Sequence, residues 1–399
     1  MNIPFVRFVD RNVGIPLCRL LAPLGRSRAT APPQADEVAR IAVLKFVGIG
    51  NLVLASPTLA SLRRRFPGAR ITFVTLAANR RILETNTDVD ELFYFDAGSL
   101  WSVVASSWRL FWHLRRGGYG VVVDLEPFSR FTALISYLSG VRSRVGFDTP
   151  GQARGRMYNL PVPYAAHLHI VEAFHMLAER LGAPVGRNLE LTPIHYSLAD
   201  EAVVESFALR HGIDPTRPLI GIHAGTGDNA TVRRWPPERF GELADALIEE
   251  YGAQVVFTGS PKEAPLVASA MAAMRHPAAD ASGQLSIPQL AGLATRCALF
   301  ISGDTGPLHI AAAMRTPVLG LYGPNTPRIY GPWGKGHTTI YHRLQCSPCI
   351  SNLNDKLTRC THGECIQSVT TAEVLQRIRM RYGSLLRARE AAVAVLAGD

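Results

Sequence analysis

Residues 298–325 read ALFISGDTGPLHIAAAMRTPVLGLYGPN. The apolar run 298–302 is typical of a strand that is buried on both faces. A turn cluster follows at 303–306, and Pro307 stands at the first position of a helix, where its missing N–H is not needed. A second apolar run, 318–322, predicts another strand. Together these signals predict a strand–helix–strand unit.

The turn of this unit is a candidate phosphate site. Its backbone N–H groups and the N-terminus of the helix point to one spot, and both favour an anion there. Asp304 is unexpected beside an anion unless it contacts a cation, a hydroxyl group or His309. The alternative is that Asp304 only caps the helix.

Three segments resemble glycosyltransferase family 9, the ADP-heptose:lipopolysaccharide heptosyltransferases. The signature-like segment starts with DTGPLHIAAA at 304–313 and continues to YGPNTP at 322–327. FPGARITFV at 66–74 is similar to the family's FPxAxIxxV, and RRWPPERF at 233–240 to its KxWPxExF. The resemblance extends back to about residue 41 and covers most of the chain.

Composition restricts the possible partners. The chain has 399 residues, 47% of them hydrophobic, and a net charge of +10, so two domains are expected rather than one core. A basic excess suits nucleic acid, an anionic membrane surface or phosphorylated substrates. Since no zinc-finger spacing or long Lys/Arg run is present, no nucleic-acid partner is expected.

The location follows from what the sequence lacks and from the resemblance. No uninterrupted apolar run reaches the roughly 18 residues of a transmembrane helix. The N-terminus has arginines within its apolar stretch and no small-residue cleavage site. We therefore expect a cytoplasmic protein, peripheral on the cytoplasmic face of the inner membrane.

The alternation of strands and helices predicts an α/β fold with parallel sheets. The resemblance implies two Rossmann-like domains facing a cleft, the GT-B architecture. The expected divisions are a basic amphipathic N-terminal arm and linker, an acceptor-binding domain, an interdomain linker, a nucleotide-sugar-binding domain, and a Cys-containing loop with a C-terminal helix. These cover residues 1–40, 41–195, 196–216, 217–345 and 346–399.

Two segments are candidates for membrane contact. The arm mixes apolar residues with arginines up to about residue 28, which suits an interfacial segment on an anionic membrane. Pro4, Pro16 and Pro23 argue against one continuous helix, and the alternative is an arm packed on the body of the protein. The predicted helix 101–116 is rich in Trp and Arg, and there the alternative is an ordinary packed amphipathic helix.

A glycine turn opens the first domain. Residues 41–46 are predicted as a strand, 47–51 as the turn and 52–66 as a helix, the entry motif of a doubly wound fold. Lys45 is a charge within the apolar strand. It occupies an edge position, snorkels to solvent, or contacts an acidic acceptor.

The resemblance implies that Gly50 and the next residue face the acceptor. The family usually has Asp after this glycine and uses it as the catalytic base, whereas this chain has Asn51. An amide cannot take a proton at neutral pH. We expect Asn51 to position the acceptor, with Asp304 or another carboxylate taking the proton less efficiently.

The resemblance also implies a donor site in the second domain. Arg233 stands where the family has Lys, and its guanidinium keeps the charge and adds a fork for phosphate. Asp304 would orient sugar hydroxyls. The segment at 280–287 would meet the adenine edge with its backbone. The further candidate residues of this site are Thr226, Glu263, Leu285, Thr305, Gly306 and His309.

Three of these residues have simpler explanations. Arg233 could be a solvated charge. Glu263 could accept from ribose hydroxyls, as acidic residues after a strand do in related folds, or it could be a solvated carboxylate at a helix N-terminus. His309 could bind phosphate or could be a buried helix histidine with backbone partners.

The resemblance implies transfer of heptose from ADP-heptose to the inner core of lipopolysaccharide, with inversion, no cofactor and no metal at the site. One alternative is a family 9 transferase that uses another nucleotide sugar for a surface glycan. Another is a non-catalytic sugar-nucleotide-binding protein, because Asn51 replaces the usual Asp. Four clustered cysteines leave metal, disulfide and free thiols open: Cys346, Cys349, Cys360 and Cys365.

Overall fold

The computed structural model describes residues 3–23, 31–186, 188–227, 231–354, 356 and 358–396. The chain divides into two compact units. The first domain comprises Met1–Thr192 with Ser351–Lys356, and the second comprises Pro193–Ile350 with Leu357–Asp399.

A six-stranded parallel sheet of order β3-β2-β1-β4-β5-β6 forms the first domain. Its strands are β1 (Arg40–Leu44), β2 (Arg70–Leu76), β3 (Glu91–Phe95), β4 (Val121–Asp124), β5 (Ser143–Asp148) and β6 (Leu160–Pro163). Its helices are α1 (Ile3–Asn12), α2 (Gly14–Leu21), α3 (Ile49–Arg65), α4 (Arg80–Leu83), α5 (Leu100–Arg116), α6 (Arg130–Leu138) and α7 (Ile170–Glu179), with 3-10 turns at Ala77–Asn79 and Gly155–Met157.

The central strand β1 determines where the first glycine turn lies. Ile41 is opposite Ile71 on one side and Val121 on the other, so β1 is a central strand, and its apolar residues 41–44 are buried on both faces. After the strand, Gly48 adopts φ 97°, a conformation that suits glycine, and completes the turn. Helix α3 therefore begins at Ile49, earlier than the predicted residue 52, and its first turn contains Asn51.

The second domain has the same kind of sheet, of order β12-β11-β10-β7-β8-β9. Its strands are β7 (Leu219–His223), β8 (Gln254–Thr258), β9 (Ala279–Asp280), β10 (Leu299–Gly303), β11 (Val318–Tyr322) and β12 (Thr338–Tyr341). Its helices are α8 (Leu198–Arg210), α9 (Pro237–Tyr251), α10 (Ala264–Ala272), α11 (Ile287–Arg296), α12 (Gly306–Ala313), α13 (Pro327–Tyr330), α14 (Glu364–Gln367) and α15 (Thr371–Leu396), with 3-10 turns at Thr231–Arg233 and Pro261–Glu263.

The strand–helix–strand unit predicted at 298–325 is present as β10, α12 and β11. Ile301 of β10 is opposite Leu319 of β11 and Ile222 of β7, so this unit forms the centre of the second sheet. Helix α8 lies in the stretch 196–216, where the sequence predicts a helix from about residue 199 to 209 beside the interdomain linker. It packs on α11, where Arg296 pairs with Glu201 at 2.5 Å.

Each sheet has a topological switch point. The chain leaves β1 towards β2 and later returns to its other side at β4, and it does the same around β7 with β8 and β10. In doubly wound sheets, ligands bind beyond the carboxyl ends of the strands at such points. The two Rossmann-like domains are confirmed, and most of the predicted site residues follow β1, β7 or β10. Of the helices described, none has the length and apolar character to cross a membrane.

Candidate functional site

Asp304 lies at the centre of a buried polar cluster after β10. Arg233 Nη1 donates to Asp304 Oδ2 at 2.8 Å and to the Asp304 carbonyl at 3.1 Å. Asn325 Nδ2, just beyond β11, donates to the same carboxylate oxygen at 2.7 Å. The N-cap of α12 is Thr305, without a side-chain capping bond, so the capping alternative for Asp304 is not observed.

The charge of Asp304 is fixed by these neighbours. Burial by itself would raise the pKa of its carboxyl group, but Arg233, the Asn325 amide and His309 outweigh burial and hold the pKa below the ordinary value. Asp304 is therefore ionised at neutral pH. Its main effect is to orient the Arg233 guanidinium, and a carboxylate in this state is a weak base.

The N-terminus of α12 is accessible beside this cluster. Thr305 is extended, with φ −143° and ψ 169°, and its Oγ1 lies 2.9 Å from Ser302 Oγ. Thr305 and Gly306 are both partly exposed. Because N–H groups in the first turn of a helix have no intrahelical partner, this is a place for an anion.

Thr226 and the backbone of Arg233 border the same turn. A Cβ added to Gly303 would lie 3.8 Å from Thr226 Cγ2 and 3.9 Å from the Arg233 carbonyl oxygen. Thr226 itself is buried in the loop that follows β7. The loop after β7 and the turn after β10 thus meet at the switch point of the second sheet.

Glu263 supports the loop after β7. Its Oε1 accepts the Gly227 N–H at 3.0 Å, and its Oε2 accepts the Ser260 N–H and hydroxyl, each at 2.8 Å. Burial raises the pKa of Glu263, but His223 and these donors outweigh burial and lower it. A Cβ on Gly225 would lie 2.0 Å from Glu263 Oε1. The solvated-carboxylate explanation is wrong because the side chain is buried, and contact with a ribose stays a prediction.

The two remaining donor-site candidates lie on different elements. His309 is buried in α12, as the alternative explanation expected, and its charge interaction with Asp304 places it near the cluster. Leu285 is partly buried in the segment between β9 and α11. The Asp280 carboxylate accepts the Ser282 N–H at 2.7 Å and fixes that segment.

Lys45 is neutralised within the first domain. Its Nζ lies 2.8 Å from Glu126 Oε1 and donates to the Val47 carbonyl at 2.9 Å. Glu126 Oε1 also accepts the Phe46 N–H at 2.8 Å. The edge-position explanation of Lys45 is wrong because β1 is a central strand, and the snorkelling explanation is wrong because the ammonium group is buried. Contact with an acidic acceptor stays a prediction.

A second buried ion pair follows β4. Arg154 Nη2 lies 2.8 Å from Asp124 Oδ2, and the Tyr158 hydroxyl donates to the same oxygen at 2.6 Å. Asp124 Oδ1 accepts the Glu126 N–H at 2.9 Å, which connects this pair to the Lys45 pair. These partners were not predicted from the sequence. The available signal was Asp124 at the end of a strand, two residues before Glu126.

Asn51 and Gly50 are partly exposed in the first turn of α3. A Cβ on Gly48 would lie 2.7 Å from Asn51 Nδ2, so the amide lies against the glycine turn. The structure thus gathers the predicted acceptor residues after β1 and most of the predicted donor residues after β7 and β10. The acceptor residues are Lys45, Gly50 and Asn51.

The four clustered cysteines are thiols in this structure. Within the described residues no disulfide forms, and no group of three or more His, Cys, Asp or Glu side chains is arranged to hold a metal ion. Burial raises the pKa of Cys365 to about 11, and the neighbouring Cys349, Cys346 and Cys360 contribute to the rise.

A model of glycosyltransferase family 9 (heptosyltransferase) matches residues 107–358, more than half of the chain. The chain belongs to glycosyltransferase family 9. It is accordingly a glycosyltransferase, and the Asp304 cluster and the loop after β7 lie within the matched region. The predicted family is confirmed.

Named relatives and solved structures agree with the family. Lipopolysaccharide heptosyltransferase 2 of Escherichia coli K12 is 25% identical over 313 residues, 74% of this chain and 88% of that protein. Lipopolysaccharide heptosyltransferase 1 of Pseudomonas aeruginosa is 24% identical over 322 residues, 78% of this chain and 86% of that protein.

The solved structures show the fold. A family 9 glycosyltransferase from Veillonella parvula is similar with a TM-score of 0.73 at 22% identity, covering 87% of this chain and 97% of that one. The ADP-heptose LPS heptosyltransferase II of E. coli is similar with a TM-score of 0.68 at 23% identity, covering 88% and 99%.

Proposed function

We propose that this family 9 enzyme transfers heptose from ADP-heptose to the inner core of lipopolysaccharide, with inversion at the anomeric carbon. Family membership and the heptosyltransferase relatives support this reaction. The observation that carries the donor assignment is the Arg233–Asp304–Asn325 cluster beside the N-terminus of α12. The acceptor is lipid-borne, so the enzyme works peripherally at the cytoplasmic face of the inner membrane.

In this proposal the second domain stabilises the leaving diphosphate. Asp304 holds Arg233 through Nη1, while the Arg233 side chain stays 24% exposed. The guanidinium thus keeps donors for phosphate oxygens, and the N–H groups at Gly306 add to it. Donors held in place before the reaction stabilise developing charge effectively.

In the proposed mechanism, proton removal from the acceptor hydroxyl is less efficient than stabilisation of the leaving group. Single displacement with inversion needs a base on the acceptor hydroxyl, and the Asn51 amide is not one. Asn51 positions the acceptor, and Asp304 or another carboxylate takes the proton less efficiently. The low pKa of Asp304 agrees with slow proton transfer to that residue.

Replacing Asn51 by Asp should therefore raise turnover, because a carboxylate would stand where the family has its base. Transfer is measured with ADP-heptose and a heptose-deficient lipopolysaccharide acceptor. Asn51→Ala serves as the control and should not gain activity. Unchanged or lower turnover in Asn51→Asp would count against this account of the acceptor site.

The donor is tested by calorimetric titration of the purified chain with ADP, UDP and GDP. Preference for ADP supports heptosyl transfer, whereas preference for UDP or GDP favours a different nucleotide sugar. An Arg233→Ala variant should lose most of the affinity. Binding without product from any acceptor would favour the non-catalytic alternative, and no nucleotide binding at all would overturn the donor assignment.

A further inference from the structure

The N-terminal arm is built into the first domain on one side. Gly14 packs so closely on α6 that an added Cβ would lie 2.6 Å from Arg130 Cβ. Cys18 is fully buried with Ala133 of α6. The Asp10 carboxylate accepts the Arg130 N–H at 3.0 Å and pairs with its guanidinium at 3.2 Å. The acidic residue of this arm is therefore already neutralised.

The opposite side of the arm is apolar and exposed. Val9, Val13, Leu17 and Leu20 are 38%, 51%, 41% and 71% exposed. The Val13 N–H donates to the Val9 carbonyl at 2.9 Å and the Leu17 N–H to the Val13 carbonyl at 3.1 Å, so the helical path continues from α1 into α2. Residues four apart then fall on one side. A surface helix that packs through its other face normally has polar residues there.

Helix α5 likewise packs on the domain with one side and exposes apolar residues on the other. Trp101, Val104 and Trp108 follow one another at spacings of three and four, and they are 80%, 54% and 63% exposed. The opposite side of α5 buries Leu110 and Leu114 in the core. The helix contains three arginines and no acidic residue. Tryptophan at this exposure is typical of the interface between a bilayer and water.

Both apolar sides belong to one layer of the first domain. Helices α5 and α6 follow one another in crossovers from β3 to β4 and from β4 to β5, and right-handed crossovers put them on the same face of the sheet. Helix α6 packs on α5 with one flank and on the arm with the other. We call the exposed residues Val13, Leu17, Leu20, Trp101, Val104 and Trp108 the arm–α5 face.

Arginines surround this face. Arg11 and Arg19 on the arm and Arg109, Arg115 and Arg116 on α5 are exposed. A second copy of the chain meeting this face across a two-fold axis would bring these like charges together, which disfavours a dimer. Anionic lipid phosphates complement them, and each arginine near such a surface adds to binding.

We propose that the arm–α5 face binds the surface of an anionic lipid bilayer. The apolar and indole side chains enter the boundary between headgroups and acyl chains, and the arginines contact lipid phosphates. This inference rests on the proposed function only for the reason that a lipid-borne acceptor brings the enzyme to a membrane. It also explains why an arm that packs well on one side exposes leucine and valine on the other.

The test is flotation of the full chain with phosphatidylcholine vesicles, with and without phosphatidylglycerol. We expect binding to the anionic vesicles that weakens in high salt. The double variants Leu17→Gln/Leu20→Gln and Trp101→Ser/Trp108→Ser should each lower the partition coefficient by about tenfold or more, since both remove apolar area from the interface.

A matched control uses two exposed leucines of the second domain. Leu198 and Leu209 of α8 are 90% and 72% exposed, and the variant Leu198→Gln/Leu209→Gln should bind vesicles like the wild type. Unchanged hydrogen exchange of peptides from β1 and β4 in the two face variants, and unchanged ADP affinity in the α8 control, would show that the three variants fold. If the wild-type chain binds vesicles but transfers no heptose, the proposed function is overturned and this inference still stands.

Three outcomes would overturn the inference. One is no binding of the wild type to anionic vesicles. Another is a vesicle partition coefficient that does not separate the face variants from their references, either because both face variants bind like the wild type or because the α8 control loses as much binding as they do. The third is a wild-type dimer in solution that the face variants abolish, because a second copy would then be the occupant.

Discussion

Replacing Lys45 by Met should destabilise the first domain by about 3–5 kcal/mol at neutral pH, the usual cost of removing one partner of a buried ion pair. Lys45 and Glu126 are 2.8 Å apart, and their side chains are only 3% and 5% exposed. Without Lys45, Glu126 keeps the Phe46 N–H at 2.8 Å but remains a buried carboxylate without a counter-charge. Met is similar in length, so little of the loss comes from a cavity.

The loss should depend on pH. In the wild type, burial raises the pKa of Glu126, but Lys45 and two backbone N–H groups outweigh burial and hold the pKa below its ordinary value. Ionised Glu126 thus adds stability above the unfolded pKa of about 4.3, and this is lost as the pH falls through the folded value. In Lys45→Met burial dominates and raises the pKa. The penalty is therefore largest at neutral pH and shrinks as Glu126 becomes protonated.

Hydrogen exchange of peptides from β1 and β4, followed by mass spectrometry, measures the free energy of unfolding of the first domain by itself. The double variant Lys45→Met/Glu126→Gln should recover most of the loss, because it removes the buried charge. Arg70→Met is the control. Arg70 is 63% exposed and pairs with Glu91 at 3.0 Å, so its loss should stay below about 1 kcal/mol.

A loss below about 1 kcal/mol in Lys45→Met at neutral pH would refute the reasoning, since the pair would then not be buried in solution. A loss that does not change with pH would refute it as well. In that case the effect would come from packing and not from the Glu126 charge.

The remaining predictions concern the second domain. Gly225→Ala should lower ADP affinity by about tenfold, or about 1.4 kcal/mol, because the added Cβ would displace the Glu263 carboxylate that holds the loop of Thr226. Calorimetric titration with ADP measures this loss, and a circular dichroism spectrum checks that the variant folds. Unchanged affinity would contradict the prediction. Burial lowers the pKa of His337 to about 4, so the second domain should lose stability as the pH falls from about 6.5 towards that value. Urea unfolding of His337→Gln should show a smaller loss, and an identical pH profile would contradict the assignment.

The sequence located the central unit of the second sheet correctly. Strand, turn and helix signals are local, and the observed β10 and α12 differ from the predicted elements by only a residue or so at each end. The same local reasoning placed the glycine turn after β1 but started the helix too late. It could not show that Gly48 alone completes the turn and that Asn51 is already helical.

The partners of the site residues were beyond local reasoning. Arg233 and Asn325 reach Asp304 from other segments of the second domain, and which strands are neighbours depends on the order of the sheet. For Asp304 the sequence offered a helix cap, a cation, a hydroxyl group or His309 as partner, and the tertiary structure shows the Arg233 cation as its ion-pair partner. For Glu263 the sequence offered a ribose contact or a solvated carboxylate, and the tertiary structure buries the side chain, where it supports the loop after β7.

The sequence by itself determined the parallel α/β sheets, the family and the positions of the two glycine-containing turns, because these depend on residue order over short stretches. Only the tertiary structure decided that Lys45 is paired with Glu126 and that the arm turns its leucines outward. Charge pairing and exposure depend on which segments meet, and that is settled when strands far apart in the chain become neighbours in a sheet.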